Sequence, residues 1–213
     1  MHEELLRYNK DKEFLFIDCE TFNLCLNECH NLPWQIAMIR YKGNKIIKSW
    51  DINIKWDTNL EIGEEAARIT RFNKKDHERK AIDHAQAFSI ISEQLDSCDF
   101  VAGHNLLGFD LYLLKSYYNK MGRCYKHLVD KIIDTLSLAK GIKFGIPYKK
   151  EECSLIEYQY KMCHTFKKGV RASLSYLGKE NDIEHDYDKL HDALVDLELN
   201  IKVWDKLKWR IEI

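Results

Sequence analysis

Near its start the chain runs Glu-Phe-Leu-Phe-Ile-Asp-Cys-Glu from Glu13 to Glu20, a short apolar block that ends abruptly in acids. Such a block reads as a buried strand. Alternate residues of a strand share a face, so Asp18 and Glu20 project together from its end. Acids at the margin of a core are costly unless a cation or hydrogen bonds compensate. Taken alone, an Asp-x-Glu pair is common, and a solvated strand end is its usual explanation.

The residues that follow give this strand neighbours. Gln35 to Tyr41 and Lys45 to Trp56 alternate apolar with polar, joined by a Gly43-Asn44 hairpin turn. Three antiparallel strands are therefore expected at the start of the chain. Glu61 to Thr70 and His84 to Leu95 carry apolar residues at helical spacing. Asp99 to Gly103 reads as another short strand, Gly108 to Met121 as a helix, and Lys131 to Lys140 as strand running into helix. The last long helix spans roughly His191 to Leu207, with Leu194, Leu197, Ile201 and Trp204 as its stripe. The expected fold class is α/β: a mixed sheet, three antiparallel strands then parallel ones, flanked by helices.

A length of 213 residues suits a single domain over 1–213. The stretch 141–171, basic and aromatic, reads as a surface insertion within it. Lys and Arg (33) balance Asp and Glu (34), so no global basic charge advertises a nucleic acid. A local groove with bound cations would still suffice to bind one. No run of about eighteen apolar residues is present, which argues against a membrane partner. The start, Met1-His2-Glu3-Glu4, is unlike a signal peptide. Seven cysteines without a framework suggest reduced thiols in a cytoplasmic setting.

Two further segments carry acids in suggestive places. Gly103 to Asp110 (GHNLLGFD) puts glycines and an asparagine between strand and helix, a tight turn with exposed backbone. Asp110 then falls in the first turn of the helix, where the dipole favours an anion. His191 to Asp196 (HDALVD) opens the last helix, and Asp196 lies close to its apolar stripe. A histidine beside an acid in a helix is usually a solvated face; an acid near the stripe is less ordinary, and a metal ligand would explain it.

In this order, Asp-x-Glu on a strand, then Asn-x-x-Gly-Phe-Asp, then His-x4-Asp, the chain resembles the DEDD exonuclease family in its histidine-containing DEDDh subgroup. That family includes proofreading subunits, oligoribonuclease and three-prime repair exonucleases. Asp18 and Glu20 match the first motif, Asp110 the second, and His191 and Asp196 the third; Thr21 also fits. Gln35-Ile36-Ala37, Asp134-Thr135-Leu136 and Leu174 to Gly178 are similar to framework segments of the family. The resemblance covers residues 14–204 and implies a ribonuclease H-like fold. It further implies 3′-to-5′ hydrolysis of phosphodiester bonds, DNA favoured over RNA, with single-stranded 3′ ends as substrate. A polymerase or a homodimer partner is among the associations it suggests. Phe22-Asn23 and the long stretch 140–171 depart from the common pattern, which bears on how the strand end is gripped.

The chemistry suits these residue types. Two divalent cations about 3.5–4 Å apart flank an in-line displacement and stabilise both attacking and leaving oxygens. Hard ions such as Mg²⁺ or Mn²⁺ prefer oxygen ligands, and Asp18, Glu20, Asp110 and Asp196 would roughly neutralise two of them. A histidine, with an ordinary pKa of about 6.5, suits the general base, and His191 is assigned that role. Thr21, Phe22, Leu24, His104 and Asn105 are candidates for contact with substrate. For Phe22 and Leu24 core packing explains the residues as well, and a backbone-bonded turn explains His104.

Other readings have some claim. The aromatics and lysines of 141–171 suit a single strand, yet an insertion needs aromatics for its own core, and that structural reading is preferred. Cys25, Cys29 and His30 with Cys153, Cys163 and His164 make a loose zinc pattern, less convincing than ordinary thiols. An inactive nucleic-acid-binding or polymerase-associated module has no physical need for the acid cluster. A metal-stabilised structural domain leaves His191 without a task.

Overall fold

The structure is a computed structural model that describes residues 5–24, 31–58, 60–190 and 192–213. The apolar block becomes strand β1 (Glu13–Thr21), which pairs antiparallel with β2 (Pro33–Lys42) from Glu13 opposite Lys42 to Glu20 opposite Gln35. Strand β3 (Lys45–Lys55) returns along β2 through the Gly43-Asn44 turn, both residues at positive φ, as such hairpins require. A two-residue strand β4 (Ile82–Asp83) lies parallel to the end of β3. On the other side of β1 run β5 (Phe100–Gly103) and β6 (Ile132–Asp134), both parallel to it. The sheet order is therefore β4-β3-β2-β1-β5-β6, three antiparallel strands followed by parallel ones.

Period-two patterning then sorts side chains to two faces. Leu15, Ile17, Ile36, Met38 and Ile54 bury against α3 (His84–Ser97) and α4 (Asp110–Lys120), meeting Ile91, Leu95, Leu113 and Tyr117. Phe14, Phe16, Ala37 and Ile39 face the opposite way, toward α5 (Thr135–Phe144), α6 (Leu155–His164) and α8 (Ala193–Leu207), against Leu138, Met162, Leu197 and Trp204. Helix α7 (Leu174–Glu180) joins α5 and α8 through Leu177, Ala139, Leu199 and Val203. Helices thus cover both faces of the sheet. No helix among the described residues is long and apolar enough to cross a membrane.

Of the two short helices that follow β3, the first falls within the Glu61 to Thr70 segment whose apolar spacing predicts a helix, and the second carries no apolar stripe. α1 (Glu64–Thr70) buries Ala66 and Thr70, and α2 (Lys74–Lys80), Lys-Lys-Asp-His-Glu-Arg-Lys, buries nothing. The stretch 141–171 has more regular structure than its glycines suggest. α5 continues to Phe144 and stops at Gly145 in the left-handed conformation, φ +71°. α6 then starts from a capping box, in which Ser154 and Glu157 each satisfy the other's backbone N–H.

Candidate active site

Leu15, Ile17 and Cys19 point into the core beneath α3 and α4, so Asp18 and Glu20 face the α8 side, in line with Phe14 and Phe16. Both acids are partly buried. β1, β5 and β6 run parallel, and the carboxyl ends of such strands are the usual ligand-binding edge of an open sheet.

From the end of β5 the chain turns through Asn105, at φ +66°, a left-handed backbone that asparagine tolerates. A Cβ at Gly108 would lie 2.3 Å from the Asn105 side-chain oxygen, so a larger residue there would displace that side chain. The turn delivers Asp110 as the first residue of α4, only 3% exposed. Its Oδ1 accepts the Cys19 backbone N–H at 2.9 Å, tying it to the strand midway between Asp18 and Glu20. Asp196 comes from the first turn of α8, a helix capped by Asp192, whose carboxylate accepts the N–H groups of Leu194 and Val195.

The four acids lie within one another's fields. Burial, then Asp110, Glu20 and Asp196, holds the Asp18 carboxyl well above the usual carboxylate range. Burial, Asp196, Asp110 and Asp192 push Glu20 up to about 8. Burial lifts Asp110 to about 7 against the opposing Cys19 hydrogen bonds. No lysine or arginine is among the causes for any of these three. Like charges gathered this way call for an external cation, and an all-oxygen set suits a hard divalent one. Among the described residues no three acid, histidine or cysteine side chains already meet metal-coordinating spacing.

Asp134 underlies this arrangement, and its part in it is not evident from the sequence. Fully buried, it accepts N–H groups from Asn105 (3.2 Å) and Leu107 (2.9 Å) in the turn before Asp110, and from Leu136 and Ser137 at the start of α5. It therefore fixes both the turn and the helix. The available signal was an acid at the junction of strand and helix, the N-cap position.

The other candidates fall in different settings. Thr21 is buried, its hydroxyl bonded within the loop to Asn31 and the Asn23 carbonyl. Phe22 is buried and meets Phe72 and His77 at 6.5 Å. Leu24 is 39% exposed. The His104 ring lies 3.0 Å from the Thr135 hydroxyl, and burial lowers its pKa to about 4. Asn105 is partly buried at the turn. His191 lies outside the described residues, as do Cys25, Cys29 and His30.

Comparison with known proteins agrees with the fold. The RNase T family model, described as exonuclease, matches residues 15–204. Curated proteins give no match. Among solved structures, E. coli exonuclease I in complex with a dT13 oligonucleotide superimposes with a TM-score of 0.72 at 20% identity, over 94% of this chain and 42% of that one. The zinc-bound form of an E. coli exonuclease I complex with single-stranded DNA gives 0.73 at 20% identity, over 94% and 41%. This chain thus spans less than half the length of exonuclease I.

Proposed function

The chain belongs to the RNase T exonuclease family, and from that membership we propose that it removes nucleotides one at a time from the 3′ end of a nucleic acid, DNA in preference to RNA. The observation that carries the reading is the group of four carboxylates from three separate segments, in which Asp110 and Asp196 help to raise the pKa of both Asp18 and Glu20.

Asp18, Glu20, Asp110 and Asp196 would hold Mg²⁺ or Mn²⁺. When bound, such ions supply Lewis-acid stabilisation of charge on the phosphate and on the leaving 3′ oxygen. The chain's own residues do the rest. The Cys19 N–H and the Asp134-braced turn keep Asp110 in register with β1. Capping by Asp192 fixes the start of α8 and with it Asp196. His191, adjoining that cap, takes the proton from the attacking water, worth about 10²- to 10⁴-fold in rate. Leu24, exposed just beyond Glu20, meets the terminal base.

Incubation of 5′-labelled single-stranded DNA and RNA with Mg²⁺ or Mn²⁺ tests this. Stepwise shortening to a ladder of labelled products is expected, faster on DNA. Release of the 5′-terminal nucleotide first, or binding without any shortening, would overturn the assignment.

A further inference from the structure

From Tyr160 to Arg171 the chain holds Lys161, Lys167, Lys168 and Arg171 and no acid. Among the described residues none of these four forms a salt bridge. The aromatics around them divide into two groups. Tyr158 is buried and donates its hydroxyl to the Ile146 carbonyl at 2.7 Å, with Tyr148 packed on it. The core of this stretch is accounted for by that pair with Met162. Tyr160 and Phe166, by contrast, are 56% and 87% exposed.

Tyr160 also lines a groove of about 490 Å³ between α4 and α6, with Leu107, Leu111, Tyr112, Lys115 and Tyr125. Leu107 and Leu111 come from the turn and helix that also carry Asp110, so one segment contributes both to the groove and to the acid cluster. Along α6, Ile156, Tyr160 and His164 stand four residues apart on one face, and the His164 ring lies 4.2 Å from that of Tyr160. Phe166 follows two residues after the end of α6. Glu157 is the one acid at the groove, and its carboxylate is engaged with the Ser154 N–H and hydroxyl at the start of α6.

We propose that this surface holds the single strand upstream of the cleaved end, with bases stacked on Tyr112, Tyr160 and Phe166 and phosphates facing Lys115, Lys161, Lys167 and Lys168. The inference rests on the exonuclease reading for its substrate class. Exposed rings set among unpaired cations suit bases and phosphates together. An acidic peptide would use the charges and leave the rings idle.

Binding of a fluorescent oligothymidylate of about twelve nucleotides, a length a single-strand groove can span, is measured by anisotropy in chelator across a salt series. The triple variant Lys161→Glu/Lys167→Glu/Lys168→Glu should weaken binding and flatten the dependence of log affinity on log salt by about 2, near 0.7 per lost phosphate contact. Tyr160→Ala/Phe166→Ala should weaken it about tenfold or more with the salt slope kept. Lys74→Glu/Lys75→Glu on α2 controls for general charge and should change little. All three sets change exposed residues, and melting curves check their folding. Wild-type affinity and slope in the first two variants, an equal loss in the α2 control, or tighter binding of an acidic peptide that ring removal leaves unaltered would each overturn the proposal. A chain that binds the strand but never shortens it would overturn the exonuclease reading and leave this surface standing. A chain that shortens the strand and ignores these variants overturns the surface alone.

Discussion

Asp110 has two tasks that a single substitution can separate. Its Oδ1 accepts the Cys19 N–H, and its charge belongs to the acid cluster. Asp110→Asn keeps an acceptor oxygen and removes the charge. Turnover should fall about a hundredfold or more, since loss of a ligand exceeds the usual cost of disturbing a ligand's support. Melting of the metal-free protein should not fall, because a like charge has been relieved. Full turnover in this variant would sink the ligand assignment. His104 gives a second test at this scale. Folding holds its imidazole at about 4 against an ordinary 6.5, chiefly by burial. Below pH 6.5 the unfolded chain takes up a proton that the folded chain refuses, so this stability is complete above 6.5 and is lost as pH falls toward 4. The loss is at most about 3 kcal/mol, because the ring is partly exposed. Because the raised carboxyls of Glu20 and Asp110 act in the opposite sense over this range, denaturant melts of wild type and His104→Phe are compared at pH 7 and pH 5, and the wild type should lose stability relative to the variant at the lower pH. The acids were legible because each sits where a strand ends or a helix begins. The environment of His104 was not, since its partner Thr135 is 31 residues away and touches it only in the folded chain.

At the level of elements, α6 closes the open edge of the sheet. Among the described residues β6 is the last strand of the sheet, with no further strand beyond it to satisfy its backbone. Gln159, fully buried on α6, fills that place: its Oε1 accepts the Asp134 N–H at 2.6 Å and its Nε2 donates to the Ile132 carbonyl at 2.9 Å. A side-chain amide thereby stands in for a neighbouring strand's peptide. Gln159→Leu keeps the volume and leaves two buried backbone groups unpaired, so it should destabilise by about 2–5 kcal/mol. Because Asp134 braces the turn before Asp110, amide exchange at Asn105 and Leu107 should also quicken. Unchanged exchange there would mean that α6 covers the edge without bracing the site. Gly141 completes the same contact, since a Cβ on it would collide with the Tyr158 hydroxyl. Strands β1 to β3 and helices α3, α4 and α8 were readable from their periodicity. α6 was hidden by the glycines before it and by a buried glutamine, which pattern reading counts as polar. α2 has no apolar stripe and packs inward only through the His77 ring, against Trp34 and Phe72, so little in its sequence marks it beyond Asn73, whose side chain accepts the Asp76 N–H.

At the scale of the whole molecule, the candidate site exists only when the sheet is complete. Asp18 and Glu20 arrive on β1, Asp110 after β5, and Asp196 on α8, whose Trp204 ring rests 5.3 Å from Phe14 of β1. The order of motifs suggested that these acids act together; their meeting depends on a parallel β1–β5 pair and on α8 crossing the same strand, which spacing alone does not encode. Because the unfolded chain scatters the four acids, a cation that binds them must stabilise the fold as a whole. Mn²⁺ at about 100 times its Kd should add about 2.7 kcal/mol. For a chain of this size that is a rise of about 5–10 °C in Tm. The rise should shrink in Asp18→Asn and Asp196→Asn alike, although the two residues lie at opposite ends of the sequence. It should survive in Asp57→Asn, an exposed acid paired with Lys120. A Tm that ignores Mn²⁺, or one that rises equally in all three variants, would mean that the carboxylates share a crevice without sharing an ion.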